Sequence, residues 1–360
     1  MSGPGLTDRA AGLAEAPGAG TGVETMTYRE ALRLAMRQEM ERDERVFVMG
    51  EEVGLFDGSY KVTAGLLDEF GPDRVRDTPI SEEAFVGAGV GAAMLGERPI
   101  VEIMTLNFLL VAMDQVVNHA AKIGAMFGGE VRCPLVIRTP NGAGNQLTAQ
   151  HSQSFDGWFA GTPGLKVVAP AGPADAKGLL KAAIRDDDPV LVIENLPIYK
   201  EKGEVDVDPE LLTPIGRAAV AREGSDLTVV AHSFATVRAL KVAEKLAAEH
   251  GVSLEVVDLR SLRPLDVETV AGSIAKTHRA LCVDEGWATY GISAELASRI
   301  QYACFDDLDA PVERVGLAEV PMPYAKALEQ AAIVHDEKIL AAALAVLGLG
   351  PASGGSSPRD

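Results

Sequence analysis

Short, wholly apolar runs alternate along this chain with stretches whose apolar residues recur every three or four positions. Val46-Phe47-Val48-Met49 is one such run, and it empties into the acidic turn Gly50-Glu51-Glu52. Residues 99–104, 134–138, 165–169 and 190–194 repeat the pattern. Runs this short, bounded by turn-forming residues, predict strands buried on both faces. Thr27-Tyr28-Arg29-Glu30 has the form of a capping box, in which the Thr and Glu side chains each accept from the other's backbone N–H. The helix it opens carries Ala31, Leu32, Ala35, Met36 and Met40 on one side, and another helix is expected at about 173–185. This alternation predicts a parallel sheet covered by helices on both faces.

Apolar density falls across 200–214 (KEKGEVDVDPELLTP) and then the alternation resumes. Strands are expected at 227–231, 254–259, 280–283 and 312–315, and helices around 236–250, 267–276, 292–302 and 325–347. The reading is therefore two three-layer α/β/α domains, over 25–200 and 215–347, joined by a linker at 201–214. The Gly-, Ala- and Pro-rich stretches 1–24 and 348–360 are expected to be disordered tails.

Composition narrows the possible partners. The 360 residues carry a formal net charge of −19, which repels phosphate backbones and anionic lipid, so neither nucleic acid nor a membrane surface is expected. No apolar run is long enough to span a bilayer, and the first residues lack the apolar core of a signal peptide. Cys133, Cys282 and Cys304 are far apart and form no CxxC pair, so they read as small buried residues in a reducing cytoplasm.

Candidate chemistry lies where polar residues follow strands, because open α/β sheets bind ligands at the carboxyl ends of their strands. Three segments qualify: 50–52, 77–82 (DTPISE) and 139–154 (TPNGAGNQLTAQHSQS), the last containing His151. From the residues alone the long stretch reads equally as a functional loop or a solvated one. Gly87-Ala88-Gly89-Val90-Gly91 lacks the spacing of a dinucleotide fingerprint and reads better as a helix packed close to a neighbour. Asp186-Asp187-Asp188 at a helix C-terminus opposes the helix dipole, a placement eased by a cation. His119, His232, His250, His278 and His335 have no evident partner in sequence and read as structural or surface residues. Phe108 alone would be a core aromatic.

Several blocks taken together carry more. GEEVGLFDGSYKVTAGL (50–66), DTPISE (77–82), IVEIMTLNF (100–108), TAQHSQS (148–154), PGLKVVAP (163–170), LVIEN (191–195), VDLRSLRPLD (257–266) and VPMPYAK (320–326) occur in one order. In these blocks the chain resembles, from about 27 to 347, the beta subunits of the thiamine-diphosphate-dependent 2-oxo acid dehydrogenases, most of all those of pyruvate dehydrogenase. The resemblance implies a pyrimidine-binding domain followed by a transketolase C-terminal-like domain. It implies thiamine diphosphate at an interface with an alpha subunit in an α2β2 heterotetramer, and a dihydrolipoamide acyltransferase core with its lipoyl domain as further partners. The alpha subunit would hold the diphosphate through Mg²⁺; the Gly-Asp-Gly that begins that motif is absent here.

Glu82 matches the glutamate that contacts the pyrimidine N1′ nitrogen. An acid there favours the imino tautomer, whose 4′-nitrogen can take the thiazolium proton, so that the cofactor can attack a 2-oxo acid and accept its electrons as CO₂ leaves. His151 matches a histidine expected to transfer a proton or orient the acyl group on its way to lipoamide. Phe108 matches an aromatic on the pyrimidine ring, with Ile80 and Met104 nearby, and Glu51 an acid supporting the site. For Leu135, Ala183, Ile184, Asp186 and Asp188 the resemblance suggests a structural potassium ion. Substrate identity stays open among pyruvate, acetoin and branched-chain 2-oxo acids, since Met126-Phe127-Gly128-Gly129 leans toward the acetoin enzymes. A non-catalytic assembly subunit is the alternative from another class, with a nicotinamide-binding enzyme disfavoured by the glycine spacing. Asp306, Asp307 and Asp309 form an acidic patch that could meet a basic domain of the acyltransferase, or simply face solvent.

Overall fold

The computed structural model describes residues 22–350, so the expected tails fall mostly outside it. The first domain begins with β1 (Val23–Thr27) and α1 (Tyr28–Arg42). Thr27 caps α1 through the expected box: its hydroxyl accepts from the Glu30 amide, and the Glu30 carboxylate accepts from the Thr27 amide at 2.8 Å. There follow β2 (Val46–Gly50), α2 (Leu66–Phe70), β3 (Val75–Asp77), α3 (Glu82–Met94), β4 (Arg98–Glu102) and α4 (Ala121–Met126). The domain continues with β5 (Val136–Asn141), α5 (Asp156–Ala160), β6 (Lys166–Val168), α6 (Pro173–Arg185), β7 (Val190–Asn195) and β8 (Lys202–Asp206).

The second domain comprises β9 (Ala219–Arg222), β10 (Leu227–Ala231), α7 (Ser233–His250), β11 (Leu254–Asp258), β12 (Ser261–Arg263) and α8 (Val267–Thr277). It ends with β13 (Ala280–Trp287), α9 (Ile292–Ala303), β14 (Glu313–Leu317), α10 (Lys326–Ala332) and α11 (Asp336–Val346).

The larger sheet has the order β12-β6-β7-β5-β4-β2-β3 and is parallel except at β12. Strands β2, β5 and β7 are buried along their whole length, the polar residues of β5 and β7 included. The second sheet runs β14-β13-β10-β11-β9, with β9 antiparallel. Helix α3 contains the glycine-rich stretch. A Cβ at Gly89 would lie 2.7 Å from Val101 Cγ2, so glycine lets the helix press onto β4.

Three expectations change. Order starts before Thr27: β1 pairs antiparallel with β8, so residues assigned to the tail and to the linker form one two-stranded ribbon. The helix expected over 325–347 is two helices, parted where Ile333 and Val334 turn into the core. Finally, β12 comes from the second half of the chain yet pairs with β6 of the first sheet. Leu259 and Leu262 accordingly share one apolar core with Leu165 and Val167. That exchange docks the domains and fixes residues of one against loops of the other.

Candidate functional site

The parallel strands β2, β3, β4 and β5 end along one edge of the larger sheet, with Gly50 opposite both Asp77 and Glu102. At Gly50 the strands crowd: a Cβ there would sit 2.6 Å from the Glu102 carbonyl oxygen. Glu51, the next residue, and Glu82, the first residue of α3, are both buried. Glu51 Oε1 has no hydrogen-bond partner among the described residues. Burial, and after it the negative charges of Glu82 and Glu102, hold the Glu51 carboxyl above the usual carboxylate range. Two acids brought together out of water, one with an unanswered oxygen, call for a ligand that donates hydrogen bonds or shares a proton.

Asp77 shapes this corner, a role the sequence did not reveal. Its carboxylate accepts from the backbone amides of Gly54 at 2.6 Å and Leu55 at 3.0 Å, folding the turn after Glu51 back over the strand ends. Ile80, expected beside the cofactor, stands 83% exposed on the connection from β3 to α3 in the single chain. Met104 and Phe108 are half-buried just beyond β4.

The connection from β5 to α5 brings His151 to the same edge. Its ring meets the Phe108 ring edge-on, with centroids 5.1 Å apart and planes at 85°. Buried Asn107 ties the two segments together, its Oδ1 accepting from the Gln153 amide at 3.2 Å and the Gln153 side chain at 3.1 Å. The loop is strained, with Gln146 and the β-branched Thr148 at φ 55° and 64°.

Beneath the edge lies a second group that sequence reasoning missed. Arg138 is buried in mid-sheet between Glu102 and Glu194, bonding Glu194 at 2.7 and 2.6 Å and Glu102 through Nη1. Tyr199 donates to Glu194 as well. Arg138 reads in sequence as the polar end of an apolar run, and only the sheet order places acids on both neighbouring strands. His232 was also missed; it is buried against Asp156 at 3.0 Å.

The residues linked to a potassium ion gather at the end of α6. Arg98 donates to the carbonyls of Ile184 and Asp186, each at 3.0 Å. Lys166 grips the Asp186 carboxylate at 2.7 and 2.8 Å, and Arg132 contacts Asp188 at 3.3 Å. The carbonyls of Ala183 and Leu135 accept from the amides of Asp186 and Val190. The positive charge that an acidic helix end demands is thus supplied by the chain itself. Each carbonyl keeps a second lone pair for an added ion.

No helix among the described residues is long and apolar enough to cross a membrane. Cys133 and Cys282 are buried, which pushes both thiols up to about 12 and leaves them unreactive.

Two successive α/β domains of this order have the architecture of the transketolase-like class. Residues 24–201 match the family model for the transketolase pyrimidine binding domain, and residues 216–339 that for the transketolase C-terminal domain. A solved split-gene transketolase, an inactive beta4 tetramer, shares the fold with a TM-score of 0.72 at 23% identity, over 91% of this chain and 99% of that one.

Relatives narrow the class further. The chain is 50% identical over 321 residues to the mitochondrial pyruvate dehydrogenase E1 component subunit beta of Dictyostelium discoideum, covering 88% of this chain and 90% of that protein. It is 49% identical to the subunit beta of Rickettsia bellii, covering 88% and 96%, and 49% identical to that of Rhizobium meliloti, covering 91% and 71%. The chain belongs to the pyruvate dehydrogenase E1 beta-subunit family.

Proposed function

We propose that this chain is the beta half of a 2-oxo acid decarboxylating enzyme that oxidatively decarboxylates pyruvate and passes the acetyl group to lipoamide, working in the cytoplasm. The observation that carries the reading is the pair of buried acids, Glu51 and Glu82, near enough to raise the Glu51 carboxyl, with one Glu51 oxygen left unanswered. That pocket edge fits an aminopyrimidine, which offers ring nitrogens to acids and a flat face to an aromatic ring.

Thiamine diphosphate bound there would supply an electron sink for decarboxylation. With the cofactor bound, the Glu82 carboxyl would share a proton with the pyrimidine edge, and buried Glu51 would support the same edge. Phe108 would offer its ring to the pyrimidine face. His151, edge-on to Phe108, would hand over a proton as the acyl group leaves for a lipoyl domain. With no Gly-Asp-Gly in the chain, the diphosphate and its Mg²⁺ fall to an alpha subunit, so the working unit is an α2β2 heterotetramer. A potassium ion at the end of α6 would join oxygens that Arg98 and Lys166 already engage.

The test is to co-express the chain with its alpha partner and measure decarboxylation across pyruvate, acetoin and branched-chain 2-oxo acids. Glu82→Gln should assemble normally yet lose about 100-fold or more in rate, the scale of a lost general acid–base group. Full activity in that variant would return the chain to the class of assembly subunits. Preference for another substrate would reassign the enzyme without changing the site.

A further inference from the structure

The segment 142–155 that bears His151 leaves β5 at Asn141 and enters α5 at Asp156. Those two buried side chains close its base, the Asn141 amide donating to one oxygen of the Asp156 carboxylate at 2.9 Å. The other oxygen meets Nε2 of His232, which lies just after β10 in the C-terminal domain, at 3.0 Å. His232 is itself 2% exposed. Farther along, the amide of Gln146 donates at 2.8 Å to the carboxylate of Glu329, a fully buried residue of α10. A loop with strained backbone at Gln146 and Thr148 is thus held from below by the other domain.

Around His232 stand Asp156 from α5, Asp284 and Glu285 from β13, and Asp258 from β11, with Arg238 of α7 balancing Glu285. One polar side-chain atom from each of Asp156, His232 and Asp284 lies within 4.8 Å of the other two. Both Asp284 oxygens already accept backbone amides, from Gly286 at 2.8 Å and Ser293 at 3.3 Å. Nδ1 of His232 is buried with no hydrogen-bond partner among the described residues. The Asp156 hydrogen bond at Nε2 and the surrounding carboxylates, not a partner at Nδ1, are what answer a positive charge on this ring.

We propose that His232 is a positioning residue for acyl transfer, a charged clasp by which the C-terminal domain holds the His151 loop in place. The inference rests on the reading of His151 as the acyl-transfer residue. Burial opposes the charge on His232, but the Asp156 hydrogen bond and the neighbouring carboxylates outweigh it and raise its pKa to about 9. The clasp is therefore charged at neutral pH and weakens as pH rises past about 9, where only the neutral Nε2–H hydrogen bond to Asp156 remains.

The test uses the assembled α2β2 enzyme. In His232→Ala, amide exchange across 142–155 should quicken about tenfold relative to the rest of the chain. Acetylation of a lipoyl domain should fall about tenfold more than decarboxylation read with an artificial electron acceptor. His232→Gln, which keeps a neutral donor, should restore most of the protection while losing the alkaline weakening near pH 9. Asp156→Asn weakens the same contact from the loop side and serves if the alanine variant does not assemble. Unchanged loop exchange, exchange that quickens uniformly over both domains, or an equal fall in both reactions would each overturn the proposal. Because the exchange arm needs no turnover, it still reads the clasp if the functional assignment fails.

Discussion

Asp258 holds its carboxyl where water does not reach, and Glu285 holds one that is half-buried. For Asp258, burial and then the charge of Asp175 raise the pKa to about 7. For Glu285, burial raises it to about 7 against the pull of Arg238 and the Asn195 hydrogen bond. Both folded values lie above the unfolded ones, so their contribution is full below about pH 4 and is lost as pH rises through 7. For buried Asp258 that is on the order of 4 kcal/mol across the window, and less for half-buried Glu285. His232 adds in the same direction, stabilising below about 6.5 and losing its effect as pH rises through about 9. The denaturation midpoint should therefore fall between pH 5 and pH 9, and Asp258→Asn should flatten the lower half of that slope. A midpoint that climbs over the window would contradict these burials. None of the three groups announces itself in sequence, because a carboxyl at a strand end looks the same whether the next domain covers it or not.

Helices α1 and α6 show what an element needs beyond its period. The apolar positions of α1 and the capping box were legible, since both depend on residues three or four apart. The polar contact between the helices was not. Glu39 is buried at 1% exposure, receiving Lys181 at 3.1 Å and Arg185 at 2.8 Å, and Lys181 also donates to Gln38 at 2.7 Å. Burial pulls the Lys181 pKa down, so it stays charged only through partners such as Glu39. Glu39→Ala should cost about 3–5 kcal/mol, the scale for stranding a buried charge. Lys181→Met should cost markedly less, because Arg185 remains on Glu39. Equilibrium denaturation of the two variants decides the order, and equal losses would mean that packing alone joins the helices.

At the scale of the whole molecule, charge sets what the protein meets. With a formal net charge of −19, a basic partner is attracted from a distance and an acidic one repelled. Asp306 and Asp309 are exposed beside Phe305, which is 70% exposed, at the end of α9. Neutralising Asp306, Asp307 and Asp309 together should weaken binding to the acyltransferase core and reduce its dependence on salt, as titration calorimetry at two ionic strengths would show. Unchanged affinity would leave the patch a solvated loop.

The alternation of apolar runs and amphipathic stretches was enough to specify two α/β units, the strands that line the site and the segments bearing Glu51, Glu82 and His151. Those features follow from periodicity and from acids placed just past strands, both local properties of a chain. Tertiary structure alone decided that β12 joins the first sheet, that Arg138 lies between Glu102 and Glu194, and that His232 grips the base of the His151 loop. Each depends on which strands become neighbours across many tens of residues, and the hydrophobic pattern makes strands without saying whose edge they will meet.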